Sequence, residues 1–158
     1  RCLVSMVVYL YRLAHWLHAH RIPLIPTFLT YMIRFVFSCW FPHTVRCGAR
    51  LVLGYGGLGI VVHGDAVLGK DVHIDQHVTI GGNATEFGVA SIGSSVYIGA
   101  GAVILGPVTI GDNCVVGANA VVLSDVPAGS VVVGAPARIV RSGITLAQFL
   151  HHIKHPTA

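Results

Sequence analysis

The chain has 158 residues, 54% of them hydrophobic and only 10% charged, with a formal net charge of +4. That length holds one domain and a small extension, with apolar residues enough for a continuous core. So few charges imply surface that an oligomer or a membrane covers; the dispersed Lys and Arg argue against nucleic acid but still attract a phosphorylated anion.

Residues 1–41 are the extension, read as a helical hairpin. Leu3–His20 is amphipathic: apolar on one side, with Arg12, His15 and His18 recurring at spacing three on a polar side expected to be solvated together with His20. Pro23 and Pro26 should break this helix, and Phe28–Phe41 reads as a second one carrying a single charge, Arg34. Arg12, Arg21 and Arg34 interrupt every apolar run short of eighteen residues, so no spanning segment is expected. The hairpin is expected to cover the open edge of the next domain and to share an oligomer interface. A second reading lays it in a membrane interface, with Trp16, Trp40 and tyrosines near the headgroups.

Residues 45–141 carry a six-residue beat. Val62, Leu68, Ile74, Ile80, Ile92, Ile98, Ile104, Ile110, Val116 and Val122 fall on it. Most are followed four residues later by a small or β-branched residue, as at Val78, Ala102 and Cys114. A strand repeats every two residues and a helix every 3.6. A strict six therefore means one short strand and one turn, the hexapeptide pattern of a parallel β-helix whose paired residues fill a narrow core. The beat is irregular at Gly54–Gly59 and fails at Glu86, a charge that does not sit in a dry core, so Gly81–Ser91 is expected to leave the coil as a loop. After Val126–Pro127 the chain is expected to leave the β-helix through Gly129 and Pro136. Residues 144–158 read as a short amphipathic helix and tail, with Leu146, Phe149, Leu150 and Ile153 on its apolar side.

Cys2, Cys39, Cys47 and Cys114 have neither metal-ligand nor disulfide-framework spacing, and Cys114 sits at an inward position. A reduced, cytoplasmic setting is the simplest reading, membrane-associated if the hairpin meets lipid. Beginning at Arg1, the chain reads as a fragment or a renumbered piece of a longer one.

Chemistry is expected where His63, His73 and His77 alternate with Asp65, Asp71 and Asp75, since the hexad register turns all three imidazoles outward. If each coil takes three hexads, His63 lies under Gly81 and Asp65 under Asn83, against the loop. An imidazole beside open space and backbone donors can activate a hydroxyl and hold an oxyanion. His63 is therefore the candidate general base, with Asp65 or Asp75 to orient it and the N–H groups of Gly81 and Gly82 as oxyanion donors. His73 and His77 read as surface residues. The histidine spacing matches no zinc motif, so no metal is expected unless subunits pool ligands.

GLGIVVHGDAVLG, VTIGG and the long run from SIGSSVYIGAGAVILG to VVVGAPARIV, within residues 57–141, resemble the hexapeptide-repeat acyltransferases. The resemblance is to the serine O-acetyltransferase-like branch, including short members from surface-polysaccharide clusters. It implies a left-handed parallel β-helix, a homotrimer, and acetyl-CoA as donor, lying between adjacent β-helices. By position it suggests Gly99, Ala100, Gly117 and Ala118 along the pantetheine and Arg138 for a CoA phosphate, a task suited to Arg. It also has gaps. The catalytic His of serine acetyltransferases falls on Tyr55 or its Gly neighbours, and their Asp falls near Trp40. Their second His has no counterpart in NATEFGVAS. The expected activity is thus O-acetylation of serine or of a polysaccharide-precursor sugar. Alternatives from other classes are a non-catalytic trimeric scaffold and a trimeric metalloenzyme of carbonic-anhydrase type.

Overall fold

The computed structural model describes residues 3–83 and 86–149. Among the described residues, helices α1 (Leu3–Ala19) and α2 (Ile25–Phe37) are followed by fourteen short strands. The first seven are β1 (Arg46–Cys47), β2 (Val52–Leu53), β3 (Val61–Val62), β4 (Val67–Leu68), β5 (His73–Ile74), β6 (Thr79–Gly81) and β7 (Ser91–Ile92). The rest are β8 (Tyr97–Ile98), β9 (Val103–Leu105), β10 (Thr109–Ile110), β11 (Val115–Val116), β12 (Val121–Val122), β13 (Val131–Val133) and β14 (Arg138–Arg141).

They stack into three sheets, the walls of the expected β-helix: β1-β4-β7-β10, β3-β6-β9-β12, and β2-β5-β8-β11-β13-β14. Within each wall the large aliphatic of one coil lies on that of the next, as Leu53, Ile74, Ile98, Val116 and Val132 do. These five are at most 2% exposed, and Cys114 is fully buried in the same core. Turns between walls repeat a left-handed residue: Asp71, His77, Ser95, Asn113 and Asn119 all have φ of 56–58°. Asn and Asp tolerate that conformation better than other side chains, which accounts for three of the five.

Coil length is not constant. Val121 pairs with Val103, eighteen residues back, but Val103 pairs with Thr79, twenty-four back. One whole hexad is therefore extruded between β6 and β7, where Glu86 interrupts the beat. The first coil is longer than eighteen as well, Val52 pairing with His73, because a 3-10 turn at Gly54–Gly57 is inserted.

Four expectations need correction. Pro26 does not break a helix; it starts α2, occupying the first turn, where its missing N–H costs no hydrogen bond. The β-helix begins before residue 45, since Trp40 already pairs with Val61. The chain does not leave the β-helix after Val126: β13 adds another parallel strand to β11, and β14 turns back antiparallel on β13. Residues 146–149 are helical; the rest of the expected C-terminal helix lies outside the described residues.

The fourth concerns α1, whose polar residues face inward. Arg12 donates to the Cys47 carbonyl at 2.8 Å and to that of Gly48, and His15 Nδ1 bonds the His43 carbonyl at 2.8 Å. The first coil has unpaired carbonyls at its open edge, and these side chains satisfy them. Val7, Tyr11 and Ala14 of α1 and Leu29 and Ile33 of α2 are buried on that side, while Tyr11 O–H donates to the Val45 carbonyl at 2.6 Å. His18 and His20 are exposed as expected.

Candidate active site

The walls meet at three edges, and the candidate residues divide between two of them. His63 follows β3 and donates its backbone N–H to the Ile80 carbonyl, which stacks it against Gly81 as the eighteen-residue spacing predicts. Asp65 is beside it: the Asp65 N–H donates to His63 Nδ1 at 3.2 Å, and its carboxylate stands 3.7 Å from the same nitrogen. This wiring has a consequence for the tautomer. A Nδ1 that accepts a hydrogen bond carries the lone pair, so the proton of the neutral ring is on Nε2. The nitrogen free to meet a substrate is then the protonated one.

Gly81, in the same column, is part of β6 in register with Leu105, and its carbonyl accepts from Gly106 N–H. Gly82 is exposed, the first residue off that strand. The loop then runs past Glu86, whose N–H donates to Asn83 Oδ1 at 2.7 Å.

Asp75 is elsewhere. It follows β5, on the edge after the longest wall, and its carboxylate is shared between two groups. His73 Nε2 lies 3.0 Å from Asp75 Oδ1, and the Tyr97 hydroxyl donates to Oδ2. A carboxylate only accepts, so His73 Nε2 carries the proton and Nδ1 the lone pair. This is the arrangement of a general base held by an acid: one ring nitrogen tethered and the other bare. The Tyr97 ring packs against the His73 ring with centroids 5.0 Å apart. Burial, then the Asp75 carboxylate, push the Tyr97 hydroxyl up to about 12, so it stays protonated and donating at neutral pH.

The same column holds two of the glycines expected at a cofactor. Asp75 N–H donates to Ile98, Gly99 N–H to Val116 and Gly117 N–H to Val132, so Asp75, Gly99 and Gly117 lie in line along one edge. A Cβ on Gly99 would stand 2.7 Å from the Ala118 nitrogen, so this edge is bare backbone where coils press together. Ala100 and Ala118 follow in the turns, and the Ala100 carbonyl accepts from Asn119 N–H. Tyr55 lies at the start of this edge, next to Gly54, exposed and at φ 49°. Arg138 is on β14 at the far end; with Val122, Leu123, Asp125, Ala137 and Ile139 it lines an open groove of ≈ 270 Å³. His77 is exposed at a left-handed corner, with its N–H bonded to the Leu58 carbonyl.

The structure thus brings His73, Asp75, Gly99 and Gly117 together and sets His63, Asp65, Gly81 and Gly82 on a separate edge. Asp75 is paired with His73 and not with His63. Tyr97 was missed in the sequence, although the failed hexad at Glu86 signals the longer coil that places it beside His73. Among the described residues no group of three His, Cys, Asp or Glu converges as metal ligands, and Cys39, Cys47 and Cys114 are free thiols.

Comparison with known proteins agrees with this architecture. Residues 90–124 match the family model "Bacterial transferase hexapeptide (six repeats)", and residues 71–105 match "Hexapeptide repeat of succinyl-transferase". A serine acetyltransferase of Synechococcus elongatus is 36% identical over 78 residues, 49% of this chain and 32% of the relative. Among solved structures, soybean serine acetyltransferase complexed with serine superposes with a TM-score of 0.79 at 37% identity, covering 85% of this chain and 56% of that one. Serine acetyltransferase of Vibrio cholerae superposes with a TM-score of 0.82 at 34% identity, over 90% and 56% of the two chains. That of Brucella abortus in complex with coenzyme A gives 0.80 and 34%, over 87% and 56%. The chain spans about a third of the curated relative's length and a little over half of these solved chains.

Proposed function

We propose that this chain, a hexapeptide-repeat protein of the serine O-acetyltransferase-like branch, is an acyltransferase that moves an acetyl group from acetyl-CoA to a hydroxyl acceptor. The observation that carries the reading is a β-helix superposing on serine acetyltransferases, one of them bound to coenzyme A, with an imidazole–carboxylate pair on its glycine-lined edge.

In this proposal the CoA arm lies along Gly99, Ala100, Gly117 and Ala118, where no large side chain keeps it from the backbone, and Arg138 meets a CoA phosphate. His73 Nδ1 takes the acceptor's hydroxyl proton. The alkoxide attacks the thioester carbonyl, the tetrahedral intermediate collapses, and the leaving thiolate takes the proton back from the imidazolium. Asp75 holds the ring through Nε2–H and stabilises its charged form, and Tyr97 fixes Asp75. His63, expected from the sequence as the base, has its lone pair engaged by Asp65 N–H. A homotrimer, also proposed, would set the loop edge of one copy, with His63, Gly81 and Gly82, against the glycine column of the next. His63 would then act as an acceptor-side donor through Nε2–H.

We favour a sugar hydroxyl over free serine as acceptor, because Tyr55 or its Gly neighbours stand where the resemblance places the serine enzymes' His, so no imidazole is there. CoA release measured with serine, with nucleotide sugars and with lipid-linked sugars tests both parts. His73→Ala should lower kcat by about 10²–10⁴-fold and His63→Ala by much less. The reverse order would assign the base to His63, and release with none of the acceptors, with no CoA binding by calorimetry, would leave a scaffold.

A further inference from the structure

The hairpin is inside out for a water-exposed helix pair. On α1, Met6, Tyr9, Leu13 and Trp16 are 48–70% exposed, while Arg12 and His15 turn inward to the first coil. On α2, Leu24 at its start and then Phe28, Tyr31 and Phe35 are 47–82% exposed. Both sets recur at spacings of three and four residues, so each is one stripe. On each helix that stripe lies opposite the buried residues, Val7, Tyr11 and Ala14 on α1 and Leu29 and Ile33 on α2. The hairpin therefore carries an apolar face that the β-helix leaves exposed, and none of its described helices is long and apolar enough to cross a membrane.

Charge indicates what covers this face. The first sixty-four residues contain six Arg and no Asp or Glu; the first acid in the chain is Asp65. Arg21 and Arg34 are exposed at the borders of the stripes. Arg34 stands 5.4 Å over the Trp40 ring, and these two with Phe35, Ser38 and Val61 line an open recess of ≈ 400 Å³. A second copy docking face to face would oppose two cationic, acid-free surfaces. An anionic bilayer matches the apolar stripes, the Trp and Tyr rings and the cationic border together.

We propose that residues 3–40 form an in-plane membrane-binding face for anionic lipid, with Met6, Tyr9, Leu13, Trp16, Phe28 and Phe35 inserted at the acyl boundary and Arg21 and Arg34 at the headgroup phosphates. This face does not depend on the acyl-transfer reading.

The test is cosedimentation of the intact chain with vesicles of phosphatidylcholine alone and of phosphatidylcholine mixed with phosphatidylglycerol, with light scattering of the free protein alongside. Binding is expected on the anionic vesicles, weakened by salt, and reduced about fivefold by each of Arg21→Gln and Arg34→Gln. Leu13→Ser combined with Phe28→Ser should remove it while the circular dichroism and the thermal midpoint hold, since both positions are exposed. In a Trp40→Phe background Trp16 is the sole indole, and its emission should shift to the blue on anionic vesicles. Equal binding to both vesicles, binding to neither, or an unmoved Trp16 emission overturns the proposal. So does a double variant that dissociates an oligomer and leaves vesicle binding unchanged, because the face would then be a contact between copies.

Discussion

Asp75 holds its position because Gly54, stacked on it from the preceding coil, has no side chain: a Cβ there would stand 2.7 Å from Asp75 Oδ1. Gly54→Ala should therefore turn the carboxylate away from His73. The expected result is a fall in kcat of up to about 10²-fold, with CoA affinity by calorimetry unchanged, and Gly54→Ala should add little in a His73→Ala background. Tyr97→Phe should lower kcat more mildly, since it frees one carboxylate oxygen and leaves the His73 contact in place. This cluster was only half legible in the sequence. His73 and Asp75 were visible as outward neighbours, but eighteen-residue coils would pair His73 with Ser91. The extruded hexad moves its neighbour to Tyr97, and nothing in the local sequence of β5 records that shift.

The elements were more legible where period alone decides them. Six-residue spacing fixes which aliphatics point inward, and with eighteen-residue coils the Ile98–Val116 and Ile104–Val122 stacks follow from it. Ile98→Ala should destabilise by about 2–5 kcal/mol, measured by denaturant unfolding, because its rigid neighbours above and below cannot close the cavity. The helices were less legible. The periodicity of α1 defines two faces but not which of them is buried, and an open coil edge with bare carbonyls recruits the face holding Arg12 and His15. His43 reports on this junction. Its ring bonds Thr30 Oγ1 of α2 at 3.0 Å, and burial, then His18 and His15, lower its pKa from the ordinary 6.5. Below 6.5 the unfolded chain binds more protons here than the folded one. Its contribution is thus complete above 6.5 and is lost as the pH falls through the lower folded value. The thermal midpoint should drop on acidification from about pH 7 to 5, and His43→Asn should flatten that dependence.

At the scale of the whole molecule, each coil touches only the coils before and after it, so stability accumulates from neighbour to neighbour. Amide exchange should be slowest in the central strands β5, β8 and β11 and fastest at the C-terminal end, where β14 is exposed along its length. A stack of this kind has no intrinsic size: every terminal strand offers the same ladder that joins the interior ones. At one end the helices occupy that ladder. At the other, β14 reverses direction on β13 and presents Arg138 and Arg141. The turn at Gly134–Ala137 is therefore a chain terminator in the polymer chemist's sense. It converts a propagating repeat into a molecule of fixed length, and without it the same register that orders the core would template end-to-end fibres.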